Sequence, residues 1–220
     1  MLIAGIDEAG RGCIIGPLVI AGVLIKEENL PLLTKIGVKD SKLLSSKKRQ
    51  TLATKITQIA EKHHIMKLTP KQIDQAVNSK RKHHKLNRLE AQTMTQIINT
   101  LKPDKTYIDA ADVNEERFKH HIQEDLTTKT KIISKHKADK IYPIVSAASI
   151  IAKVERDKEI VALKNVYGNI GSGYPTDQKT MLFLKQWLQT HDDYPSCVRQ
   201  SWKPAKQAKN EKGTIQKKLA

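Results

Sequence analysis

Cysteine and long apolar runs are scarce in this chain of 220 residues, and each scarcity excludes a class of protein. Two cysteines, Cys13 and Cys197, are too few for a disulfide framework and lack metal-ligand spacing. We therefore expect two unpaired thiols and a reducing, cytoplasmic compartment. No apolar run approaches the ~20 residues that cross a bilayer. Residues 1–5 lack the charged segment of a secretion signal, so we expect neither a signal peptide nor a membrane-spanning segment.

Basic residues, in contrast, are in large excess. The 39 lysines and arginines outnumber the 23 acidic residues and give a formal net charge of +16. A surplus of this size favours a polyanionic partner, either nucleic acid or an anionic membrane surface. The basic run at 80–82 and the lysine-rich tail after residue 202 either add salt-sensitive affinity for nucleic acid or form a solvated surface.

Apolar segments alternate with helical patterns along most of the chain. Strands are predicted at 2–7, 16–25, 64–69, 105–113 and 130–136. Helices are predicted from Ser45 or Ser46, from Pro70, at 86–101, after Asn114, at 142–167 and around 181–188. The tail is predicted as a solvated helix or a mobile arm. This order predicts an α/β or mixed α+β layered fold, whose last two strands are parallel.

Four acidic residues lie at the ends of predicted strands. Asp7 and Glu8 end the first strand, Asp109 lies near the end of the fourth, and Asp139 follows the fifth. Their carboxylates can converge only if those strands are neighbours in the sheet. Converging carboxylates repel one another unless divalent cations with oxygen ligands, such as Mg²⁺ or Mn²⁺, offset the repulsion. On spacing alone, Asp112 competes for the place of Asp109.

Seven short motifs resemble those of ribonuclease HII, in the same order and most closely in the archaeal form. They read GIDEAGRG, GVKDSK, YIDAADVN, HKAD, YPIVSAASIIAKVERD, GSGYPTD and VRQSW, and they extend from residue 3 to about 202. The resemblance implies an α/β fold with a ribonuclease H-like mixed five-stranded sheet flanked by helices, and a helical C-terminal region. It places a catalytic domain at 1–168 and the helical region with its basic tail at 169–220.

The same resemblance implies an endoribonuclease that cleaves the RNA strand of RNA–DNA hybrids and cuts at single ribonucleotides embedded in duplex DNA. Its catalytic and metal-binding acids correspond to Asp7, Glu8, Asp109 and Asp139, which settles Asp109 over Asp112. Two Mg²⁺ or Mn²⁺ ions would support in-line attack of water and give 3′-hydroxyl and 5′-phosphate ends. The family also implies a monomer, and we expect no membrane partner.

The substrate-binding residues implied are Gly10, Arg11, Gly12 and Tyr174. Discrimination of a ribonucleotide requires contact with its 2′-hydroxyl. Glycines let the backbone approach the sugar, an arginine can hold a phosphate, and a tyrosine ring can pack on the next sugar. Lys42 is predicted to hold a phosphate of the DNA strand, the alternative being an exposed lysine beside a local turn.

Several alternatives stay open. A non-catalytic nucleic-acid-binding protein would explain the charge, although not the clustered acids. A closer enzymatic rival, ribonuclease HIII, is set aside because that relative carries an extra N-terminal substrate-binding domain, whereas the predicted catalytic strand here starts at residue 2. Lys153 faces either the nucleic acid or solvent. Cys13, beside the implied metal site, is read as an inert small side chain. The tail retains Gln216 and Leu219 of a clamp-binding box but not its aromatic pair, which argues against sliding-clamp binding.

Overall fold

The computed structural model describes residues 1–38, 44–80 and 85–219, with side chains up to residue 211. Its strands are β1 (Leu2–Ala9), β2 (Leu18–Lys26), β3 (Lys62–Leu68), β4 (Lys105–Asp109) and β5 (Lys131–Lys135). Its helices are α1 (Leu30–Lys35), α2 (Ser46–Ile59), α3 (Pro70–Val77), α4 (Lys85–Leu101), α5 (Glu115–Glu124), α6 (Ala138–Ile141), α7 (Pro143–Tyr167), α8 (Gln178–Thr190) and α9 (Lys203–Leu219).

The five strands form one mixed sheet in the order β3-β2-β1-β4-β5. β1 runs antiparallel to β2, and β1, β4 and β5 are parallel to one another. The five-stranded mixed sheet and the parallel crossover between the last two strands are therefore confirmed. The order also makes β1, β4 and β5 neighbours, which is the condition for their acidic ends to meet.

Two glycines bring helices close to opposite faces of the sheet. A Cβ on Gly5 of β1 would lie 2.3 Å from the carbonyl oxygen of Ile144 in α7. A Cβ on Gly22 of β2 would lie 2.4 Å from Ile97 in α4. Gly5 pairs with Val23 and therefore faces the opposite side from Gly22, since side chains alternate along a strand. α7 thus covers one face and α4 the other.

The described backbone groups into two compact units built from interleaved segments. The first comprises residues 1–9, 19–67 and 82–155, and its core includes apolar side chains of β1, β2, α2 and α7. The second comprises residues 10–18, 68–81 and 156–220, and its core combines Ile14, Ile15 and Ile170 with the apolar sides of α8 and α9. The domain boundary at 168 stays a prediction.

Helix starts follow the expected capping chemistry. Ser45 caps α2 by accepting from the Lys48 N–H, and Asn114 caps α5 by accepting from Arg117. Thr69 forms a capping box with Gln72, with Pro70 at the first helical position of α3. These capping residues confirm the predicted starts, and they also settle Ser45 over Ser46.

The sequence prediction was wrong at the end of the fourth strand, and it missed the short helices α1 and α6. The fourth strand ends at Asp109 and not at residue 113, because Asp112 accepts hydrogen bonds from Asn114 and Arg117 and forms the turn that begins α5. The helix α1 was missed, since its six residues include a proline and are too short for a helical period to be recognised. The tail forms the helix α9.

Candidate metal centre and substrate-binding loop

Three of the four predicted acids meet at one edge of the sheet. One carboxylate oxygen each from Asp7, Asp109 and Asp139 lies within 4.8 Å of the other two. Asp7 is 4% exposed and Asp139 5%, whereas Asp109 is half-buried. The structure therefore brings Asp7 close to acids that lie 102 and 132 positions later in the sequence, because β1 and β4 are adjacent and β5 leads directly into α6.

Local backbone geometry sets the position of the two later acids. Lys137 adopts a left-handed conformation with φ of 54°, which turns the chain from β5 into α6 and begins the helix that carries Asp139. The Ala138 N–H then donates to Oδ1 of Asp109 at 3.1 Å. This hydrogen bond holds the Asp109 carboxylate beside the start of α6.

Burial makes the Asp7 carboxyl a weaker acid than an ordinary aspartate. Loss of water on burial, together with the neighbouring charge of Asp109, raises the pKa of Asp7 to about 7, although hydrogen bonds from Ser149 and the Glu8 N–H oppose the rise. Three close carboxylates are hard oxygen ligands with uncompensated mutual repulsion, so the donor set fits a divalent cation such as Mg²⁺ or Mn²⁺. The residues that could hold such an ion are Asp7, Asp109 and Asp139.

Glu8 is not a member of this group of three. Its neighbour Asp7 lies on the sheet face that α7 covers, and alternation along β1 directs Glu8 toward the other face. The Glu8 backbone N–H nevertheless donates to Oδ1 of Asp7 at 2.7 Å, so this residue orients the buried carboxylate. A role of Glu8 as a metal ligand stays a prediction.

Asp112, the alternative to Asp109, has a different environment. It is 1% exposed, forms an ion pair with Arg117, and accepts from the Asn114 N–H at 3.0 Å. Although burial raises the pKa of Asp112, the Arg117 guanidinium and the Asn114 N–H outweigh it and hold that pKa well below its usual range. The geometry thus places Asp109 in the acid cluster and gives Asp112 a structural role at the start of α5.

Sequence reasoning missed Ser149 and left Lys153 undecided. The Ser149 hydroxyl hydrogen-bonds to Asp7, and the Lys153 ammonium donates to Ser149 Oγ at 3.0 Å and favours the charged form of Asp7. Both residues lie on α7 and are four positions apart, which puts them on one helix face. A serine and a lysine at this spacing, on a helix predicted to follow the acids, were the available signal.

The glycines of the loop after β1 differ in what they require. Gly10 has φ of +85°, and a Cβ there would lie 2.8 Å from the Pro17 carbonyl oxygen, so the fold itself requires glycine. Gly12 is exposed, has no positive φ, and a Cβ there would meet nothing within 4 Å. The protein interior therefore gives no reason for glycine at position 12, whereas close approach of a ligand would.

Tyr174 is held from two sides. The Arg156 guanidinium lies 4.7 Å from its ring centre, and its hydroxyl hydrogen-bonds to the Cys13 thiol. Burial raises the pKa of Tyr174 to about 12, so the hydroxyl keeps its proton. The side chain is still 37% exposed. Gly173, its neighbour, accepts from the Ile14 and Ile15 N–H groups at 2.8 and 3.1 Å, which ties this segment to the loop after β1.

Other predicted sites are not described by the structure. Lys42 lies outside the described residues, as do Arg81 and Lys82 of the basic run, and the side chains of Gln216 and Leu219 are also outside them. In the part of the chain that the structure covers, no helix is both long and apolar enough to cross a membrane.

Both thiols are predicted to be unreactive in the folded protein. Cys13 and Cys197 are free and buried, at 0% and 5% exposure, and burial raises the pKa of both, to about 11 for Cys197. Since the thiolate is the reactive form, a chromogenic disulfide reagent at pH 8 should detect no thiol natively and two in denaturant. Fast native labelling of either cysteine would contradict the buried positions.

Two solved structures share this architecture. The ribonuclease H2 of Pyrococcus horikoshii superimposes with a TM-score of 0.89 at 44% identity, over 97% of this chain and 99% of that one. RNase HII of Archaeoglobus fulgidus, solved in a complex with PCNA, gives 0.83 at 43% identity, over 92% and 96%. The fold and the acid cluster therefore define a nuclease of the ribonuclease H type.

The family follows from the sequence comparisons. The family model for ribonuclease HII matches residues 4–205. Ribonuclease HII of Thermococcus sibiricus is 49% identical over 208 residues, which cover 94% of this chain and 90% of that protein. This chain belongs to the ribonuclease HII family, and the resemblance that its motifs indicate is confirmed.

Proposed function

We propose that this protein is a divalent-metal-dependent endoribonuclease that hydrolyses the RNA strand of RNA–DNA hybrids and also cuts at single ribonucleotides embedded in duplex DNA. The observation that carries the proposal is the group of three carboxylates within 4.8 Å in a chain with a net charge of +16. A protein that only bound phosphates would gain nothing from buried, clustered acids. A polyanion-cleaving enzyme needs both features.

The acids would hold the catalytic ions. Asp7, Asp109 and Asp139 supply the described oxygen ligands, and Glu8 is the proposed fourth acid. Two Mg²⁺ or Mn²⁺ ions bound there would activate water for in-line attack and stabilise the leaving oxygen, giving 3′-hydroxyl and 5′-phosphate ends. Ser149 and Lys153 hold the Asp7 carboxylate in place through their hydrogen bonds.

The loop after β1 and Tyr174 would read the substrate. Gly12 leaves open space where a ribose can approach the backbone, and Arg11 can hold a neighbouring phosphate with its planar guanidinium. The exposed part of the Tyr174 ring can pack on the following sugar, because Arg156 and Cys13 already fix the ring. Lys42 is proposed to hold a phosphate of the DNA strand.

Cleavage of three matched duplexes tests the proposal. They share one sequence and are all DNA, DNA with one ribonucleotide, and an RNA–DNA hybrid, each assayed with Mg²⁺, with Mn²⁺ and with chelator. We expect both ribose-containing duplexes to be cut only with metal, and the products to carry ligatable 5′-phosphates. Binding without cleavage in either metal would instead support the non-catalytic alternative.

Tyr174→Ala should separate recognition from catalysis. We expect cleavage at a single embedded ribonucleotide to fall by more than about tenfold, because the ring that packs on the following sugar is lost. The measurement is kcat/KM on the duplex with one ribonucleotide, and Tyr174→Phe isolates the hydroxyl that bonds to Cys13. Tyr167→Ala is the matched control, since Tyr167 packs edge-on against Phe183 and Trp187. Undiminished cleavage by Tyr174→Ala would contradict the assignment.

Partners beyond the nucleic acid stay predictions. We expect a monomer, and the sequence of the tail argues against a sliding-clamp partner, although the Archaeoglobus fulgidus relative was solved with PCNA. Titration of this protein with the clamp of its own host, followed by calorimetry, would decide the point.

A further inference from the structure

Arg199 is a buried cation whose hydrogen bonds all point at one loop. Its exposure is 0%, and it lies between α8 and α9, nearly 190 positions from the loop after β1. Nη2 donates to the Gly10 carbonyl at 2.7 Å, Nη1 to the Arg11 carbonyl at 2.9 Å, and Nε to the Gly16 carbonyl at 3.1 Å. All three nitrogens of one guanidinium thus bind main-chain oxygens of residues 10–16.

The position of Arg199 is itself fixed. Its backbone N–H donates to the Ile14 carbonyl at 2.8 Å, and its guanidinium carbon lies 5.1 Å from the Trp202 ring centre. Burying a charge is costly, and here burial lowers the pKa of Arg199 to about 10. An apolar side chain could fill this volume without that cost. Packing alone therefore does not explain why a charged arginine occupies position 199.

The reason lies in the geometry of the peptide planes. Gly10 and Cys13 close a β-turn, with the Cys13 N–H donating to the Gly10 carbonyl at 3.2 Å, and the central residues of that turn are Arg11 and Gly12. In a trans peptide the N–H points opposite to the carbonyl of the preceding residue. Because Arg199 draws the carbonyls of Gly10 and Arg11 toward itself, the N–H groups of Arg11 and Gly12 point away from it.

We infer that Arg199 is a positioning residue for ribonucleotide recognition. Its guanidinium fixes two consecutive carbonyls of the loop, and it thereby aims two consecutive N–H donors at a ribose-phosphate ligand on the side where Gly12 is open. Consecutive backbone N–H groups of this kind form concavities that bind anionic or oxygen-rich ligands. The inference rests on the proposed function, since it names how the same loop acquires its selectivity.

The test compares Arg199→Lys with the parent in an Asp7→Asn background, in which cleavage is prevented. Fluorescence anisotropy gives Kd for a duplex with one ribonucleotide and for the all-DNA duplex of the same sequence. A lysine keeps the charge but not the planar set of donors. The Kd ratio is the Kd of the all-DNA duplex divided by that of the ribonucleotide duplex. We expect Arg199→Lys to lower this ratio at least about tenfold, while Kd for the all-DNA duplex changes less than about twofold.

Arg117→Lys is the matched control. Arg117 also donates from a guanidinium, but its partner is Asp112 and it donates to none of the loop carbonyls. Arg117→Lys should lower thermal stability and leave the Kd ratio unchanged. If Arg199→Lys lowers stability and changes both Kd values equally, Arg199 is a packing residue and the inference is overturned.

A second measurement needs no Arg199 variant and remains decisive if Arg199→Lys does not fold. In the ¹⁵N-labelled Asp7→Asn protein, the amide signals of Arg11 and Gly12 should shift on addition of the ribonucleotide duplex and not of the all-DNA duplex. Unchanged signals would overturn the inference. A parent Kd ratio near one would overturn the proposed selectivity itself, whereas a high parent ratio retained in Arg199→Lys would overturn only the role of Arg199.

Discussion

Replacing Asp7 by asparagine is expected to lower metal-dependent cleavage by on the order of a thousandfold or more and, at the same time, to stabilise the metal-free protein. The first effect follows because Asp7 supplies a charged oxygen to the proposed metal centre. The second follows because Asp7 is 4% exposed and its carboxylate oxygen lies within 4.8 Å of two other carboxylates. Asparagine removes one buried charge from that group.

The effect on stability depends on pH in a defined direction. The folded-state pKa of Asp7, about 7, lies above its ordinary value of 3.8, so the folded protein keeps a proton that the unfolded chain releases. The free energy of unfolding of the metal-free parent therefore falls between about pH 4 and 7 and stays lowered above pH 7. Asp7→Asn should lack this loss and exceed the parent by about 1–4 kcal/mol at pH 8.

Thermal unfolding in chelator and in Mg²⁺ measures both effects. Mg²⁺ should raise Tm of the parent, because it binds only the folded protein, and raise that of Asp7→Asn much less. Asp112→Asn is the matched control: it breaks the pair with Arg117, so it should lower Tm and keep cleavage. An active Asp7→Asn protein, or one less stable than the parent in chelator, would refute the site.

Gly12→Ala is expected to reduce cleavage at a single ribonucleotide by about a hundredfold without loss of stability. The new methyl group would enter the open space at position 12, where we propose that the ribose approaches the backbone. Displacements of about 1 Å at a reacting centre cost rate factors of this size. Inside the protein the methyl meets nothing within 4 Å, so Tm should stay the same or rise slightly.

Gly10→Ala is the variant with which Gly12→Ala is compared, because the fold itself requires glycine at position 10. Position 10 has φ of +85°, and its Cβ would lie 2.8 Å from the Pro17 carbonyl oxygen, so this variant should lose at least about 1–2 kcal/mol of stability. The measurements are Tm and kcat/KM on the duplex with one ribonucleotide. If Gly12→Ala cleaves as well as the parent, the open space at position 12 is not part of the recognition site.

The strand-end positions of the acids were predictable, because each strand can be read from a short stretch of sequence. Their convergence depended on two facts that the spacing did not give, namely that β1 and β4 are adjacent in the sheet and that Lys137 takes a left-handed conformation after β5. Spacing alone did not separate Asp109 from Asp112. What separates them in the structure is the Arg117 guanidinium, which pairs with Asp112 and leaves Asp109 to the cluster.

The supporting residues were not predictable, because their partners are distant in sequence. Nothing near Arg199 indicates that its guanidinium binds the Gly10 carbonyl, 189 positions away. Ser149 is one of several small residues in an alanine-rich helix, and only the packing of α7 on β1 selects it. Likewise, the motif presents Gly10 and Gly12 as equivalent, whereas the backbone dihedral angle at Gly10 shows that only one of them is required by the fold.

The close contact at Gly5 has a consequence for how this gene can change. β1 is buried on both faces, so inserting or deleting one codon would leave the strand almost as hydrophobic as before. The pattern of apolar residues alone would therefore not reveal the change. Yet a one-residue shift would place a side chain where a Cβ lies 2.3 Å from the Ile144 carbonyl oxygen, and it would turn the Asp7 carboxylate to the opposite face of the sheet. Insertions and deletions in evolving copies of this gene should therefore occur in the loops and preserve the two-residue spacing from Gly5 to Asp7.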